Sequence, residues 1–180
     1  EGVRVLDSVN EGTVTGYSEA PEGAGWLYVG GCFGSCYGGT AGETAFGSPG
    51  CLVDGCVNKG TARAIGGSKY RAGGITGMAN NVDIISCTNE GTLTSEREAY
   101  YKEDFFGGIA GYASHVALVN CTTSNVTLEQ DLTHDYKAPD TPTTFSLTIG
   151  RDNGGNTIDG NEYIADGVCK NAEGFYCIST

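Results

Sequence analysis

The feature of the sequence that most constrains the fold is an internal repeat of about 34 residues. Residues 73–94 (GGITGMANNVDIISCTNEGTLT) align without a gap to residues 107–128 (GGIAGYASHVALVNCTTSNVTL), with an offset of 107 − 73 = 34. Both copies open with Gly-Gly-Ile-x-Gly and continue to a Cys-Thr pair, at Cys87 and at Cys121. Such a unit holds three short β-like pieces and cannot bury its own apolar face, so neighbouring units are expected to stack.

Two less regular copies extend the array toward the N-terminus. One covers about residues 29–64, opening at Gly30-Gly31 and ending in Cys56-Val57-Asn58-Lys59-Gly60-Thr61. Its middle is 12 residues longer than in the regular copies, since 56 − 31 = 25 and 87 − 74 = 13, and the extra loop spans Tyr37 to Gly50. The other covers about residues 1–16, with a serine at the cysteine position.

Composition agrees with an all-β chain. The sequence contains 30 glycines, which suit tight turns and disfavour helices, and it lacks helical apolar spacing. The stacked copies predict a right-handed parallel β-helix (a β-solenoid) of about three to four rungs with inserted loops. We assign the solenoid to residues 1–150 and a C-terminal cap to residues 151–180. The rival fold is a β-sandwich or barrel, but hairpin turns of the Asn-Gly type are missing between the strands.

The alignment also predicts which side chains stack inside the coil. Ile75, Ile109 and Cys32 form one expected ladder, and the second cysteine of each copy, with Ser8, forms another. Unpaired cysteines pack as small apolar residues, which suits such a ladder. The internal thiols are therefore Cys32, Cys56, Cys87 and Cys121. The Asn-Lys-Gly and Asn-Glu-Gly turns are expected to face solvent.

The remaining cysteines favour local disulfides. A disulfide between Cys36 and Cys51 would close the inserted loop, and one between Cys169 and Cys177 would join two cysteines that are eight residues apart. Bridges along the internal ladder stay open as an alternative, because adjacent rungs are close enough for one. An even number of eight cysteines indicates an oxidising compartment. Two glycosylation sequons, at Asn120 and Asn125, agree with an extracellular or cell-surface location.

The charge of the chain excludes some partners. Lys plus Arg number 10 and Asp plus Glu number 22, which gives a net charge of −12. A chain this acidic has no general attraction to nucleic acid or to anionic membranes. No apolar run reaches the length needed for membrane insertion.

One segment near the C-terminus is a candidate calcium site. Residues 152–162 (DNGGNTIDGNE) are the densest group of oxygen ligands in the chain, and Ca²⁺ takes six to eight oxygens. The candidate ligands are Asp152, Asn156, Asp159 and Glu162. The competing interpretation is a turn rich in Asp and Asn. No other cofactor is predicted.

Other candidate contact residues lie near the inserted loops. Exposed aromatic rings there could stack on sugars or on a partner protein, and the candidates are Trp26, Tyr37, Tyr100 and Tyr101. A charged insertion at residues 96–104 supplies the carboxylates that a glycosidase or lyase would need on one face. We interpret it as a solvated loop, and no catalytic residue is predicted.

The Gly-Gly-Ile-x-Gly … Cys-x-Asn-x-Gly-x-Val pattern resembles the GLUG-motif repeats of bacterial and some protist secreted proteins. The resemblance covers about residues 1–128. It implies a relation to adhesins, surface filaments and stalks attached to secreted enzymes, with no catalytic residues in the motif. We therefore expect a non-enzymatic extracellular structural or adhesive module that can self-stack into a surface filament.

The expected partners are other copies of the chain or neighbouring repeat domains. Glycans and host or surface proteins are further expected partners. The alternatives are a carbohydrate-binding module and a β-helix polysaccharide-degrading enzyme. The first would use the exposed aromatic rings, and the second would need convergent charged side chains in a groove.

Overall fold

The structure, a computed structural model, is built from parallel β-sheets. It describes residues 3–20, 24–38, 51–66, 69–97, 104–124, 128–132, 144–146, 149–164 and 169–170. The described residues form strands and turns and contain no helix, and every pairing between their strands is parallel. The predictions of an all-β chain and of stacked parallel strands are confirmed. A sandwich of hairpins would instead require antiparallel neighbours.

The strands are short because a glycine or another turn residue interrupts the chain every few positions. The first eight are β1 (Arg4–Leu6), β2 (Val9–Asn10), β3 (Thr13–Ser18), β4 (Trp26–Gly30), β5 (Phe33–Tyr37), β6 (Cys51–Asp54), β7 (Val57–Asn58) and β8 (Thr61–Gly66). The next eight are β9 (Lys69–Gly73), β10 (Thr76–Ile85), β11 (Thr88–Asn89), β12 (Thr92–Arg97), β13 (Phe105–Gly107), β14 (Ala110–Val119), β15 (Thr122–Ser124) and β16 (Leu128–Leu132). The last five are β17 (Thr144–Ser146), β18 (Ile149–Asp152), β19 (Thr157–Asp159), β20 (Glu162–Ile164) and β21 (Cys169–Lys170).

The strands form four sheets that the chain visits in a fixed order. Sheet A contains β1, β6, β10, β14 and β18, with β5 paired to β10 and β19 paired to β14. Sheet B runs β2-β7-β11-β15-β20, sheet C runs β3-β8-β12-β16-β21, and sheet D runs β4-β9-β13-β17. The chain passes repeatedly through D, A, B and C, and we call one such passage a rung. Each strand therefore lies beside its equivalent in the neighbouring rung, as expected for stacked repeats.

The pairing register follows the sequence repeat in sheets A and B, but in sheet C Leu93 pairs with Leu128, at an offset of 128 − 93 = 35, so the gapless alignment is wrong by one residue at its end. Ala79 pairs with Ala113 and Val82 pairs with Val116, at the offset of 34 seen in the sequence. Asp54 stands where the regular copies have Ile85 and Val119, and it pairs with Ile85. These two side chains are only half-buried, so the position tolerates a carboxylate.

The segment predicted as a cap, residues 151–180, continues the same pattern in its described part. Strand β18 pairs with the first half of β14 and β19 pairs with its second half. Strand β20 pairs with β15, and β21 pairs with β16. Residues 149–170 thus visit sheets A, B and C in the order of the rungs before them.

The cysteine ladder forms the centre of the larger apolar cluster. Cys56, Cys87 and Cys121 are buried in it, while Cys32 is half-buried and packs against its edge. Each of the three buried thiols donates to a backbone carbonyl of the preceding rung, at Val5, Val53 and Ile84 respectively, over 3.9, 3.7 and 3.5 Å. The described cysteines are unpaired thiols. The ladder is therefore a packing device with weak hydrogen bonds between rungs.

A second ladder, of asparagines, corrects the sequence-based expectation for the Asn-x-Gly turns. Asn58 and Asn89 are fully buried, at 0% exposure, and only the middle residues of the turns, Lys59 and Glu90, face solvent. The amide of Asn10 donates to Asn58 and the amide of Asn58 donates to Asn89, both over 2.8 Å. The paired amides thus satisfy both polar atoms of Asn58, while Asn89 accepts one of these bonds and its own buried Nδ2 has no hydrogen-bond partner among the described residues.

Each asparagine also holds its own turn together. The side-chain oxygen of Asn10, Asn58 and Asn89 accepts the backbone N–H two residues later. That residue is Gly12, Gly60 or Gly91. A Cβ at Gly91 would overlap the carbonyl oxygen of Gly60, and a Cβ at Gly60 would overlap that of Gly12. The Asn-x-Gly sequence is therefore required by the closeness of the rungs at this corner.

Left-handed residues set the bends within sheet A. Asn81 and His115 occupy equivalent places in β10 and β14, with φ angles of 52° and 53°. Asn and His adopt this region more readily than most residues. The exchange of Asn81 for His115 between the copies therefore preserves backbone shape, and we assign His115 no catalytic role.

Candidate functional site

The most distinctive surface combines aromatic rings with cations on the outer side of sheets D and A. In β4 and β9 the side chains alternate, so that Leu27, Val29, Tyr70 and Ala72 pack inward. The side chains between them point outward. We call the outer group the Arg71 face, and it comprises Trp26, Tyr28, Tyr37, Lys69, Arg71, Met78, Phe105, Tyr112 and Arg151.

The guanidinium of Arg71 lies at the centre of this face. Its carbon is 3.9 Å from the ring centroid of Trp26 and 3.9 Å from that of Tyr112. The ring of Tyr28 is farther away, at 5.6 Å. Contacts this close to two aromatic rings fix the orientation of the guanidinium by cation–π attraction.

The polar contacts of Arg71 are few. Its Nη1 donates to the sulfur of Met78 over 3.3 Å, and its Nε is buried without a hydrogen-bond partner. Thioether sulfur is a weak acceptor. Among the described residues the one salt bridge joins Arg63 to Glu96 on sheet C. Arg71 therefore forms no salt bridge with a described carboxylate.

Two more cations flank the same rings. Lys69 Nζ lies 5.1 Å from the Trp26 ring, and the Arg151 guanidinium lies 5.7 Å from the Phe105 ring. Trp26 and Phe105 stack on each other with centroids 6.2 Å apart. Three of the 10 cationic residues of an acidic chain thus gather on one face.

Tyr37 is the most accessible ring of the Arg71 face, with 56% of its surface exposed. Its hydroxyl donates to the Met78 sulfur over 3.0 Å. Partial burial and the neighbouring Tyr28 raise the pKa of Tyr37, although the Arg71 charge opposes them. The hydroxyl therefore stays protonated at neutral pH and remains a hydrogen-bond donor.

The structure brings two of the four predicted contact residues together, because Trp26 and Tyr37 both belong to the Arg71 face. Tyr100 and Tyr101 lie outside the described residues. Sequence reasoning missed Arg71, Met78 and Tyr112. The alternation of Lys69-Tyr70-Arg71-Ala72 predicts an outward arginine, but its neighbours come from other rungs.

Cys36 and Cys51, predicted to form a disulfide, lie at the base of the inserted loop. They pair with Ala79 and Val82 of the next rung, which are only three residues apart. Both are thiols in the structure, and the Cys51 sulfur lies 3.0 Å from the Tyr37 carbonyl oxygen. Burial, together with the nearby Cys51 side chain, raises the pKa of Cys36 to about 12. For the other predicted pair, Cys177 lies outside the described residues, and nothing is described of the Cys169 side chain.

Two thiols of the internal ladder, Cys32 and Cys87, are shifted toward their neutral form. Burial and the neighbouring Cys56 and Cys87 raise the pKa of Cys32 to about 12. The hydrogen bond to Cys121, followed by burial, raises the pKa of Cys87. A neutral thiol is a poor nucleophile and a poor metal ligand, so these cysteines suit packing rather than chemistry.

Two of the four predicted calcium ligands, Asp152 and Asn156, are engaged in hydrogen bonds. The amide of Asn156 accepts from Val116 N over 2.8 Å and donates to Ala113 O over 3.3 Å. Asp152 accepts from Gly154 N and from Asn156, each over 2.6 Å. Among the described residues no cluster of three or more His, Cys, Asp or Glu side chains could hold a metal. These bonds lie within a segment rich in Asp and Asn, and Asp159 and Glu162 are exposed beside it.

The other predicted sites are only partly described. Asn120 is exposed and left-handed, with a φ of 53°, at the corner between sheets A and B. Asn125 lies outside the described residues, as does most of the charged insertion at residues 96–104. Glu96, at its start, is paired with Arg63.

Comparison of the chain with family models, with curated proteins and with solved structures finds no match in any of the three. In the described part of the chain, no helix is long and apolar enough to cross a membrane.

Proposed function

We propose that the chain is a short right-handed parallel β-helix that serves as a non-enzymatic structural or adhesive module outside the cell. The fixed order of the four sheets supports the helix, and connections between parallel strands are right-handed in nearly all proteins. The observation that best supports this function is that the motif residues are structural: their side chains lie inside the stack and hold the rungs together. The cysteines and asparagines form internal ladders, and the glycines make room for them.

The N-terminal edge of the stack supports a role in assembly. Strands β1, β2 and β3 are the outermost strands of sheets A, B and C, and among the described residues nothing pairs with their outer sides. Exposed apolar side chains cluster on and beside them: Val3, Leu6, Val9, Val14 and Tyr17, of which Val3 is 59% and Tyr17 is 64% exposed. An uncovered strand edge with apolar surroundings invites another strand to pair with it.

We infer that this edge stacks on another rung, supplied by a second copy of the chain. Asn10 is the last amide of the asparagine ladder: its Nδ2 donates to Asn58, and its Oδ1 accepts from Gly12 N, as the Oδ1 of Asn58 does from Gly60 N while also accepting from Asn10. Gly12 stands at the position where Gly60 and Gly91 admit the carbonyl of the rung before them. A Cβ at Gly12 meets nothing closer than 3.9 Å, so this close approach is still available to a partner.

The test is to compare self-association of the wild-type chain with that of Gly12→Ala. The substitution should leave the monomer folded, because its Cβ has space, and it should block a rung that approaches as closely as the internal ones. Light scattering and electron microscopy across a concentration series should show wild-type assembly that Gly12→Ala reduces at least about tenfold in association constant. A wild-type chain that stays monomeric at the highest concentration would rule out self-stacking.

The proposed extracellular location depends on the loop cysteines and the sequons. The buried ladder accounts for Cys56, Cys87 and Cys121 by packing alone, without disulfides. The Cys36–Cys51 pair and the exposed Asn120 are the features that suit an oxidising and glycosylating compartment. Expression through a secretory pathway, followed by peptide mapping, would detect the glycan at Asn120; an unmodified Asn120 together with reduced Cys36 and Cys51 would contradict this location.

A further inference from the structure

We propose that the Arg71 face binds an acidic carbohydrate through the carboxylate groups of its uronic acid units. This activity goes beyond the structural role argued above and depends on different residues. The stacking edge lies on β1 to β3, whereas the Arg71 face lies on the outer side of sheets D and A.

The first support is the state of Arg71 itself. A guanidinium has five N–H donors, and Arg71 uses one of them on a thioether while its buried Nε has no partner. Leaving a half-buried cation so poorly hydrogen-bonded is costly. A carboxylate could accept two parallel N–H bonds from the guanidinium, which is the geometry that an arginine fork favours. Trp26 and Tyr112 already hold the fork in place, so little side-chain entropy would be lost on binding.

The second support is the local charge. Lys69 and Arg151 stand beside Arg71 over the same rings, in a chain whose net charge is −12. A cationic face on an otherwise acidic molecule attracts anionic ligands, including those that carry carboxylates.

The third support is the extent of the face across the rungs. Tyr28, Arg71 and Phe105 are paired neighbours on three successive rungs of sheet D, and Met78, Tyr112 and Arg151 are paired neighbours on three successive rungs of sheet A. Because neighbouring strands lie about 4.8 Å apart, the rings and cations span several rungs, a length that suits several units of a linear polymer. The exposed ring of Tyr37 offers an apolar surface and a protonated hydroxyl, which match the C–H face and the hydroxyl groups of a sugar.

The experiment is calorimetric titration of the full chain with oligogalacturonate at low salt. Three comparison ligands separate the sources of binding: the methyl-esterified oligosaccharide, which lacks the carboxylates, poly-glutamate of similar charge, and inorganic sulfate. We expect oligogalacturonate to bind, and the methyl ester and poly-glutamate to bind at least about tenfold more weakly. Binding should weaken as salt is added, because the contacts are partly electrostatic.

Variants tie the binding to the Arg71 face. Arg71→Ala should weaken binding at least about tenfold, and Tyr37→Ala about threefold. Arg4→Ala, an exposed arginine on β1, removes the same charge and should change affinity less than twofold. If Arg71→Ala does not fold, as judged by circular dichroism, Arg71→Met keeps the stem packed and replaces it in the comparison.

Three results would overturn the proposal. They are no heat of binding with oligogalacturonate, equal binding of poly-glutamate, and equal losses in the Arg71 and Arg4 variants. The second would assign the face to an acidic protein partner instead, and sulfate binding alone would reduce it to a site for small anions.

Discussion

Strands β1 to β3 and strands β18 to β20 lie at opposite ends of the stack, but they expose different chemistry. The N-terminal end is apolar at its surface, with Val9 55% exposed and Tyr17 64% exposed. The C-terminal end exposes Asp152, Asp159 and Glu162, and of the described large apolar side chains there only Ile158 is exposed, at 49%. Both ends have the same backbone pairing with the rung next to them, so side chains alone make the difference.

The C-terminal strands also replace core residues with amides. Asn156 and Asn161 stand one rung beyond Val116 and Cys121, at positions that are apolar or thiol-bearing in the middle of the stack. Asn161 accepts from Cys121 N over 2.7 Å and donates to Leu118 O over 2.9 Å. These amides satisfy backbone groups of the rung before them, so the rung needs no apolar cover there. The N-terminal end has only Asn10 in a comparable role, and this contrast is what makes it the candidate stacking edge.

The largest expected effect tests whether an end differs from the middle at one motif position. Gly91→Ala should destabilise the fold by about 3 kcal/mol or more, because its Cβ would overlap the Gly60 carbonyl and crowd the Asn58 amide. Gly12→Ala, the same change at the edge, should cost less than about 1 kcal/mol. Urea unfolding of both variants measures the difference. Equal losses would mean that the edge is as crowded as the interior.

The next expected effect is the stabilisation gained when a disulfide closes the inserted loop in the N-terminal half, a loop that the later rungs lack. Glutathione disulfide should oxidise Cys36 and Cys51, joining their sulfurs and releasing two molecules of reduced glutathione. The closed loop spans 51 − 36 = 15 residues, for which the stabilisation is about 3 kcal/mol at most. Peptide mapping should find this pair linked and Cys87 unmodified. Cys36→Ser is the control, and a bridge between Cys87 and Cys121 instead would contradict the assignment.

A smaller expected effect is the difference in stability lost when an amide is removed from each end of the stack. Asn161→Ala removes two bonds to the backbone and leaves the Cys121 N–H unsatisfied, so it should cost about 2 kcal/mol. Asn10→Ala removes the bond to Asn58 of the next rung and two bonds to the backbone of Gly12, but the Gly12 groups are exposed and water can replace those bonds, so it should cost about 1 kcal/mol. Denaturation midpoints provide the comparison. The two ends would be energetically alike if Asn10→Ala proved the more damaging.

The smallest expected effect is a loss of stability at alkaline pH, caused by two thiols of the rung that begins at β4. The pKa of Cys32 and of Cys36 rises from about 9 to about 12 on folding. Between these values the unfolded thiols lose protons that the folded ones keep, so the free energy of unfolding falls as pH rises from about 9 to about 12. Below pH of about 9 the contribution is fully present. We expect the melting temperature of the wild type to fall by about 2 °C more than that of the Cys32→Ala/Cys36→Ala variant between pH 8 and pH 10.5. Parallel pH profiles would show that these thiols do not contribute.

The sequence by itself determined the repeat and its consequences within a strand. The gapless alignment predicts that Val82 lies beside Val116 and that Cys87 lies between Cys56 and Cys121, because equal spacing forces equivalent residues into neighbouring rungs. Alternation of side chains then determines which residues face inward. The Asn-x-Gly turns escaped this reasoning, because asparagine is usually a surface residue. Only the amide-to-amide bonds between rungs explain its burial.

Tertiary structure alone decided the Arg71 face and the difference between the ends. Arg71 and Tyr112 are 112 − 71 = 41 residues apart and belong to different sheets, so no repeat within the sequence predicts their contact. The exposure of Val9 and the engagement of Asn161 depend on what lies on the next rung, which local sequence does not specify. A periodic sequence determines which residues are neighbours along the stack. Contacts between sheets depend on how the chain turns from one sheet to the next, and the chemistry of the ends depends on what covers the outermost rungs.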